Sequence, residues 1–234
     1  MAEQRLSRKE IRQPDQFVSL SVQIAGWLKA HISFLIYGVV ALIVVATLIT
    51  GWRAWQRHRE QQAATALYEA TKLIYTRSAN RPQAVEQLQK LVNDYGSTDV
   101  AGLAYWHLGH LYFAGEDYPA ALKAYRQTQQ RLSKAAQPLM IALVTLDIAY
   151  AQEASGVCDP DAIASFESVL PLPAHWLRGE AYLGLGRCHE QTGAPQKAVA
   201  MYERALSDKD ISADTRQAIS ERLASLQRSL KQQG

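Results

Sequence analysis

Apolar positions recur at helical spacing along residues 105–127, "YWHLGHLYFAGEDYPAALKAYRQ", where Tyr105, Leu108, Gly109 and Tyr112 form one stripe. The pattern stops at Gly115-Glu116-Asp117 and resumes after Pro119 with Ala121 and Tyr125. This predicts a helix, a stop, an acidic cap and a second helix, which together make a helical hairpin. Small residues on one helix opposite aromatic ones on the other let the two approach closely.

Residues 182–205, "YLGLGRCHEQTGAPQKAVAMYERA", repeat the pattern: Tyr182, Leu185, Gly186, Ala198, Tyr202 and Ala205 occupy the offsets of Tyr105, Leu108, Gly109, Ala121, Tyr125 and Thr128. Between the copies a further hairpin keeps Ala162 and Phe166 but lacks the Leu-Gly pair, with Gly156 as its stop and Asp159-Pro160 opening its second helix. Residues 64–95 read as a weaker unit carrying Tyr68, Tyr75, Ala84 and Leu88, and residues 212–230 as a more polar helix that closes the stack. The spacing resembles the tetratricopeptide repeat, with Leu-Gly three residues after one aromatic and an Ala-aromatic pair on helix two. The expected fold is all-α: one N-terminal transmembrane helix followed by a tetratricopeptide-like α-solenoid of about four hairpins plus a capping helix.

The remainder of the chain has another composition. Residues 32–51, "ISFLIYGVVALIVVATLITG", hold no charge over a length sufficient for the ~30 Å hydrocarbon layer at ~1.5 Å rise per residue. Trp27 before it, and Trp52 and Trp55 after it, stand where interfacial aromatic belts belong. The core is longer than the apolar stretch of a cleaved signal peptide, which favours an uncleaved anchor. The expected divisions are a polar tail over 1–31, a transmembrane helix over 32–52, a helical junction over 53–63 and the repeat domain over 64–234. Within the tail, Phe17, Leu20, Ile24, Trp27 and Leu28 line one helical face, which suits either an interfacial amphipathic helix or a continuation of the span.

Flanking charge leaves the orientation open. Arg12 and Lys29 precede the span closely, while Arg53, Arg57, Arg59 and Lys72 follow it, which by the positive-inside rule puts the repeats in the cytoplasm. The whole tail, however, adds Arg5, Arg8 and Lys9, and a long folded domain translocates despite its flanks. The junction "GWRAWQRHREQQAATALYEA" at residues 51–70, with the short tail, the single span and the degenerate repeats, resembles the ancillary subunit of bacterial Sec translocons. That resemblance implies an inner-membrane, single-pass protein with its N-terminus cytoplasmic and its repeats periplasmic. The partners it implies are translocon subunits and a membrane-anchored periplasmic chaperone. A cytoplasm-facing adaptor that recruits a soluble factor, and a self-associating envelope scaffold, are the alternatives.

Residues 60–234 contain 17 Lys and Arg against 19 Asp and Glu, a net of −2, so no basic nucleic-acid surface is indicated. No phosphate-cradling glycine loop, Gly-x-Ser-x-Gly or His-Glu-x-x-His occurs, which argues against an enzyme or a cofactor. His107 and His110 lie three apart on one predicted helix without an evident third metal ligand, so no metal is expected. Cys158 and Cys188 fall in neighbouring repeats, where both a disulfide and two separate packed thiols are open.

First helices of such hairpins line the concave side of the superhelix, where binding is expected. In the second hairpin Leu103, Trp106, His110 and Phe113 form that stripe, and in the third and fourth Leu143, Asp147, Glu180, Leu183, Arg187 and Glu190 extend it. Trp106 and Phe113 suit either the groove or burial against the preceding hairpin. Because each hairpin needs only its neighbours, residues 60–234 are expected to fold alone as a monodisperse helical protein by circular dichroism and sedimentation. An aggregated or unfolded product sinks the four-hairpin division.

Overall fold

A computed structural model describes residues 16–75, 80–132, 138–156, 158–172 and 175–233. All regular elements among them are helical: α1 (Gln16–Tyr75), α2 (Arg81–Asp94), α3 (Asp99–Ala114), α4 (Tyr118–Leu132), α5 (Pro138–Ala154), α6 (Pro160–Val169), a 3-10 turn (His175–Leu177), α7 (Arg178–Gln191), α8 (Pro195–Ser207) and α9 (Ala213–Gln233). Contacts divide the chain into two units, Met1–Gln56 and Arg57–Gly234. In the first unit every described side chain is exposed, from Trp27 through Ile32, Leu42 and Trp52 to Trp55. The segment beginning at His31 is the one stretch among the described residues long and apolar enough to cross a membrane. The tail residues Phe17, Leu20 and Ile24 lie outside the described side chains.

In the second unit each helix packs chiefly on its sequence neighbours, α2 on α3, α3 on α4 and so on to α8 on α9. Four hairpins and a closing helix result, the nearest-neighbour architecture of a solenoid. Polar side chains open the helices: Asn80 accepts from the Gln83 amide at 3.2 Å, Thr98 from Ala101 at 3.3 Å, Asp117 from Ala120 at 3.1 Å and Asp159 from Ala162 at 2.8 Å. Each satisfies one amide that the first helical turn leaves without a partner.

The stop of α3 falls at the expected Gly115-Glu116-Asp117 step. Gly115 has φ −94°, and the left-handed residue is Glu116 at φ 62°. The Asp117 amide donates to the Tyr112 carbonyl and the Glu116 amide to Phe113, closing the helix with a Schellman pattern around Glu116. In the next two hairpins glycine does occupy the left-handed position, at Gly156 (φ 89°) and Gly193 (φ 71°).

Glycine acts inside the helices where two of them touch. A Cβ on Gly109 would overlap the Tyr125 ring, and one on Gly186 the Tyr202 ring, so both predicted Leu-Gly pairs sit under the aromatic residue of their own second helix. The third hairpin, which has Ala149 instead, solves the problem across the repeat boundary: Phe166 lies against Gly184 of α7. Tyr125, Phe166 and Tyr202 are all fully buried.

The first hairpin departs from the expected register. Tyr68 and Tyr75 are exposed, and α1 packs through Ala63, Ala66, Leu67, Ala70, Leu73 and Ile74. Packing also begins before residue 64. Glu60 accepts from the Val100 amide at 3.0 Å and the Asp99 amide at 3.3 Å at the start of α3, while Arg59 donates to the Asp94 carbonyl at 2.5 Å at the end of α2. A carboxylate thus meets the positive pole of one helix and a guanidinium the negative pole of the other.

Cys158, beside the α5–α6 turn, is joined to Cys188 of α7 with Cα atoms 5.0 Å apart. The bond, left open by the sequence, closes a loop with a separation of 30 residues. In the chain-entropy picture it stabilises by about 3–4 kcal/mol.

Gly109→Leu is expected to lower stability by about 1–3 kcal/mol through overpacking against Tyr125. Gly115→Ala, at negative φ with ordinary contacts, is expected to change it by less than about 0.5 kcal/mol. Equal urea midpoints for the two variants would show that the glycine under Tyr125 carries no packing constraint.

Candidate partner-binding face

The first helices α3, α5 and α7 bring most of the predicted stripe together, and a ladder of hydrogen bonds runs from repeat to repeat along it. Trp106 donates its indole N–H to Asp147 Oδ2 at 2.7 Å, crossing from α3 to α5. His110, 43% exposed, meets the Trp106 ring edge-on at 4.6 Å and places Nε2 3.4 Å from the same carboxylate oxygen. Behind it the Tyr125 hydroxyl lies 3.2 Å from His110 Nδ1. The phenol that fills the Gly109 notch is therefore also the inner end of the polar chain.

From α5 to α7 the ladder continues with Tyr150, whose hydroxyl donates to Glu180 Oε2 at 2.7 Å. Thr215 of α9 donates to Oε1 of the same carboxylate at 2.5 Å. Arg187 grips Glu153 through Nε and a terminal nitrogen, each at 2.5 Å, and stacks over the Tyr150 ring at 5.5 Å. Glu190 closes the series by accepting from the Tyr202 hydroxyl and from Arg222 Nε, the latter at 3.1 Å. Bidentate charge-assisted pairs of this geometry are the strong members of such a network.

Burial holds the tyrosines in their donor form. It raises the pKa of Tyr125, with Asp147 adding to the effect, and that of Tyr150, with the hydrogen bond to Glu180 next in size. Burial, and then the charge of His110, lower the pKa of His107, which keeps its imidazole neutral.

The predicted residues do not all play one part. Trp106 and Phe113 are half-buried and pack on a cluster that joins Ala121, Tyr125 and Leu132 of α4 to Val144, Ile148 and Ala151 of α5, the following hairpin. Leu143 is half-buried beside Ala142 and Leu146, and Leu103 is half-buried on α3. Leu183, at 8% exposure, lies in the core with Ala198, Tyr202 and Ile219. Sequence reasoning missed Tyr150 and Glu153, although Tyr150 falls at helical spacing from Leu143 and Asp147. It also missed Thr215 and Arg222, which sit on the helix read as a polar cap. Trp27, Trp52 and Trp55 are exposed, with Trp52 and Trp55 at 5.3 Å between ring centroids. Among the described residues no three His, Cys, Asp or Glu side chains converge as a metal cluster.

The arrangement offers aromatic and aliphatic surface framed by hydrogen-bonding groups that are already paired, which suits binding by shape more than by free charge. Trp106→Phe is expected to cost about 1–3 kcal/mol by stripping Asp147 of its donor. A double-mutant cycle with Asp147→Asn should show a coupling of about 0.5–3 kcal/mol in chemical denaturation. Strict additivity would mean that the link does not hold α3 to α5.

A family model described as a tetratricopeptide repeat-like domain matches residues 26–228. No curated protein matches the sequence. Among solved structures, the chain is similar to the TPR-like repeats of a Podosopora anserina protein described as a kinesin light chain. That match has a TM-score of 0.59 at 19% identity, over 75% of this chain and 89% of the other. It is also similar to the MamA protein, with a TM-score of 0.50 at 22% identity, over 63% of this chain and 73% of the other. At these identities the likeness shows the fold alone. The family match spans most of the chain, and the chain belongs to the tetratricopeptide repeat-like domain family.

Proposed function

We propose that this chain is a membrane-anchored protein-interaction module that works at the bacterial Sec translocon and links it to periplasmic chaperones. Its tetratricopeptide repeat-like fold is a protein-interaction scaffold, and one apolar helix precedes it in the same chain. The observation that carries the reading is this pairing of a span with a continuous face of first helices, which supplies Leu103, Trp106, His110 and Phe113, then Leu143 and Asp147, then Glu180, Arg187 and Glu190. An extended peptide or a partner helix lies in such a groove and is read by pockets and hydrogen bonds. The translocon and chaperone assignment rests on the resemblance of the junction at residues 51–70 and of the overall organisation.

The cysteines support one side of the membrane. The Cys158–Cys188 disulfide belongs to an oxidising compartment, which supports repeats in the periplasm and the N-terminus in the cytoplasm. A cytoplasm-facing adaptor is the second reading, favoured by Arg53, Arg57, Arg59 and Lys72 next to the span. Trp27, Trp52 and Trp55 then serve as interfacial anchors in either orientation.

A photo-crosslinking residue placed at Leu103 or Leu143 in intact membranes is expected to capture translocon subunits or the membrane-anchored chaperone, whereas one at Lys123, exposed on the second helix α4, is not. Capture from Lys123 alone would move the contact to the opposite face. Capture of cytoplasmic proteins alone would favour the adaptor.

A further inference from the structure

A second, chemically different site lies where α6, α7 and α8 end or begin. A cavity of about 440 Å³ is lined by Leu170, Arg178, Tyr182, Arg204, Ser207, Asp208 and Lys209. Three cations face one carboxylate there, and neither Arg204 nor Lys209 has an ion-pair partner among the described residues. Asp208 is partly spent, since its Oδ1 accepts from the Asp210 amide at 3.0 Å.

The wall is organised by the helix ends. Arg178 donates from Nε to the Leu170 carbonyl just past α6 at 3.2 Å, which fixes the guanidinium and leaves its terminal nitrogens for other acceptors. Arg216 donates to the Leu206 and Asp208 carbonyls at 2.9 and 3.0 Å, so the negative pole of α8 is met by a charge outside the pocket lining. With both carbonyl ends occupied and the Ser207 hydroxyl donating to the Arg204 carbonyl at 2.7 Å, Arg204, Lys209 and the outer edge of Arg178 are left as side-chain donors with no structural task among the described residues. Planar guanidinium groups beside an ammonium are a donor set for a tetrahedral oxyanion.

We infer that this cavity binds a phosphate group, and that its source is the headgroup of an anionic lipid. The source is argued from the lining and the adjoining sequence: Leu170 and Tyr182 supply an apolar wall, and Trp176, two residues before Arg178 in the chain, is 52% exposed. An exposed indole close in sequence to one of three clustered cations is the composition of a lipid-headgroup surface. The lipid source rests on the membrane-anchored reading above, whereas the phosphate site does not.

The test uses the full chain in nanodiscs of zwitterionic lipid with and without phosphatidylglycerol. Native mass spectrometry reads the retained lipids, and Trp176 emission is isolated as the difference from a Trp176→Phe chain. Phosphatidylglycerol is expected to be retained over zwitterionic lipid and to shift Trp176 emission, inorganic phosphate to compete for it, and Arg204→Gln with Lys209→Gln to weaken both by about tenfold or more. Neither substituted side chain makes a hydrogen bond or ion pair among the described residues, and unchanged thermal unfolding confirms that the variant is intact. If inorganic phosphate shifts Trp176 emission while phosphatidylglycerol is not enriched, the site stands and the lipid source is overturned. Equal lipid retention by the variant, with no phosphate response, overturns the site. A chain that fails to remain in the nanodisc instead contradicts the anchor, and the phosphate titration of that chain still reads the cavity.

Discussion

Two helices can lie close only where one of them gives up side-chain volume, and the contact of an aromatic ring with a glycine meets that constraint in this fold. Tyr125 over Gly109 and Tyr202 over Gly186 set the separation within the second and fourth hairpins, and Phe166 over Gly184 sets it between the third and fourth. The surrounding positions follow from that spacing: Ala121, Ala162 and Ala198 are fully buried because nothing larger fits between helices held so near. The same rings then project polar ends outward. Tyr125 reaches His110, and Tyr202 reaches Glu190, so the packing contact also anchors the hydrogen-bond ladder on the first-helix face.

That coupling gives the face its character. A groove lined with unpaired charge would be adaptable but costly to desolvate; here Asp147, Glu153, Glu180 and Glu190 are each held by donors from a neighbouring repeat or the closing helix. The desolvation cost of the carboxylates is met inside the fold, and a partner meets a preorganised surface. The Cys158–Cys188 bond lies close in sequence to Glu153 and Arg187 and ties the same two hairpins covalently. The α6–α8 cavity is the counterexample: its cations have few internal partners, and the ligand chemistry inferred for it follows from that difference.

Much of this was legible in the residues. Helical period, the two Leu-Gly copies, the Asp117 and Asp159 caps and the uncharged run over 32–51 depend on local spacing and composition, and local spacing determines helices, stops and the apolar span whatever the rest of the chain does. The hairpin count followed from the repeat itself. What misled was also local in origin: Tyr68 and Tyr75 look like repeat aromatics but are exposed, since the terminal hairpin has a neighbour on one side only and packs through alanines.

Tertiary structure decided whatever depends on which face meets which neighbour. It put the left-handed residue of the α3 stop at Glu116, where the hydrogen bonds to Tyr112 and Phe113 close the helix. It turned Trp106 toward Asp147 of the next repeat and Leu183 into the core, a choice fixed by the rotation between successive hairpins that no spacing along one helix contains. It also brought Cys158 to Cys188 and gathered Arg178, Arg204 and Lys209 from separate elements into one cavity, since side chains distant in sequence become neighbours only when the stack closes over them.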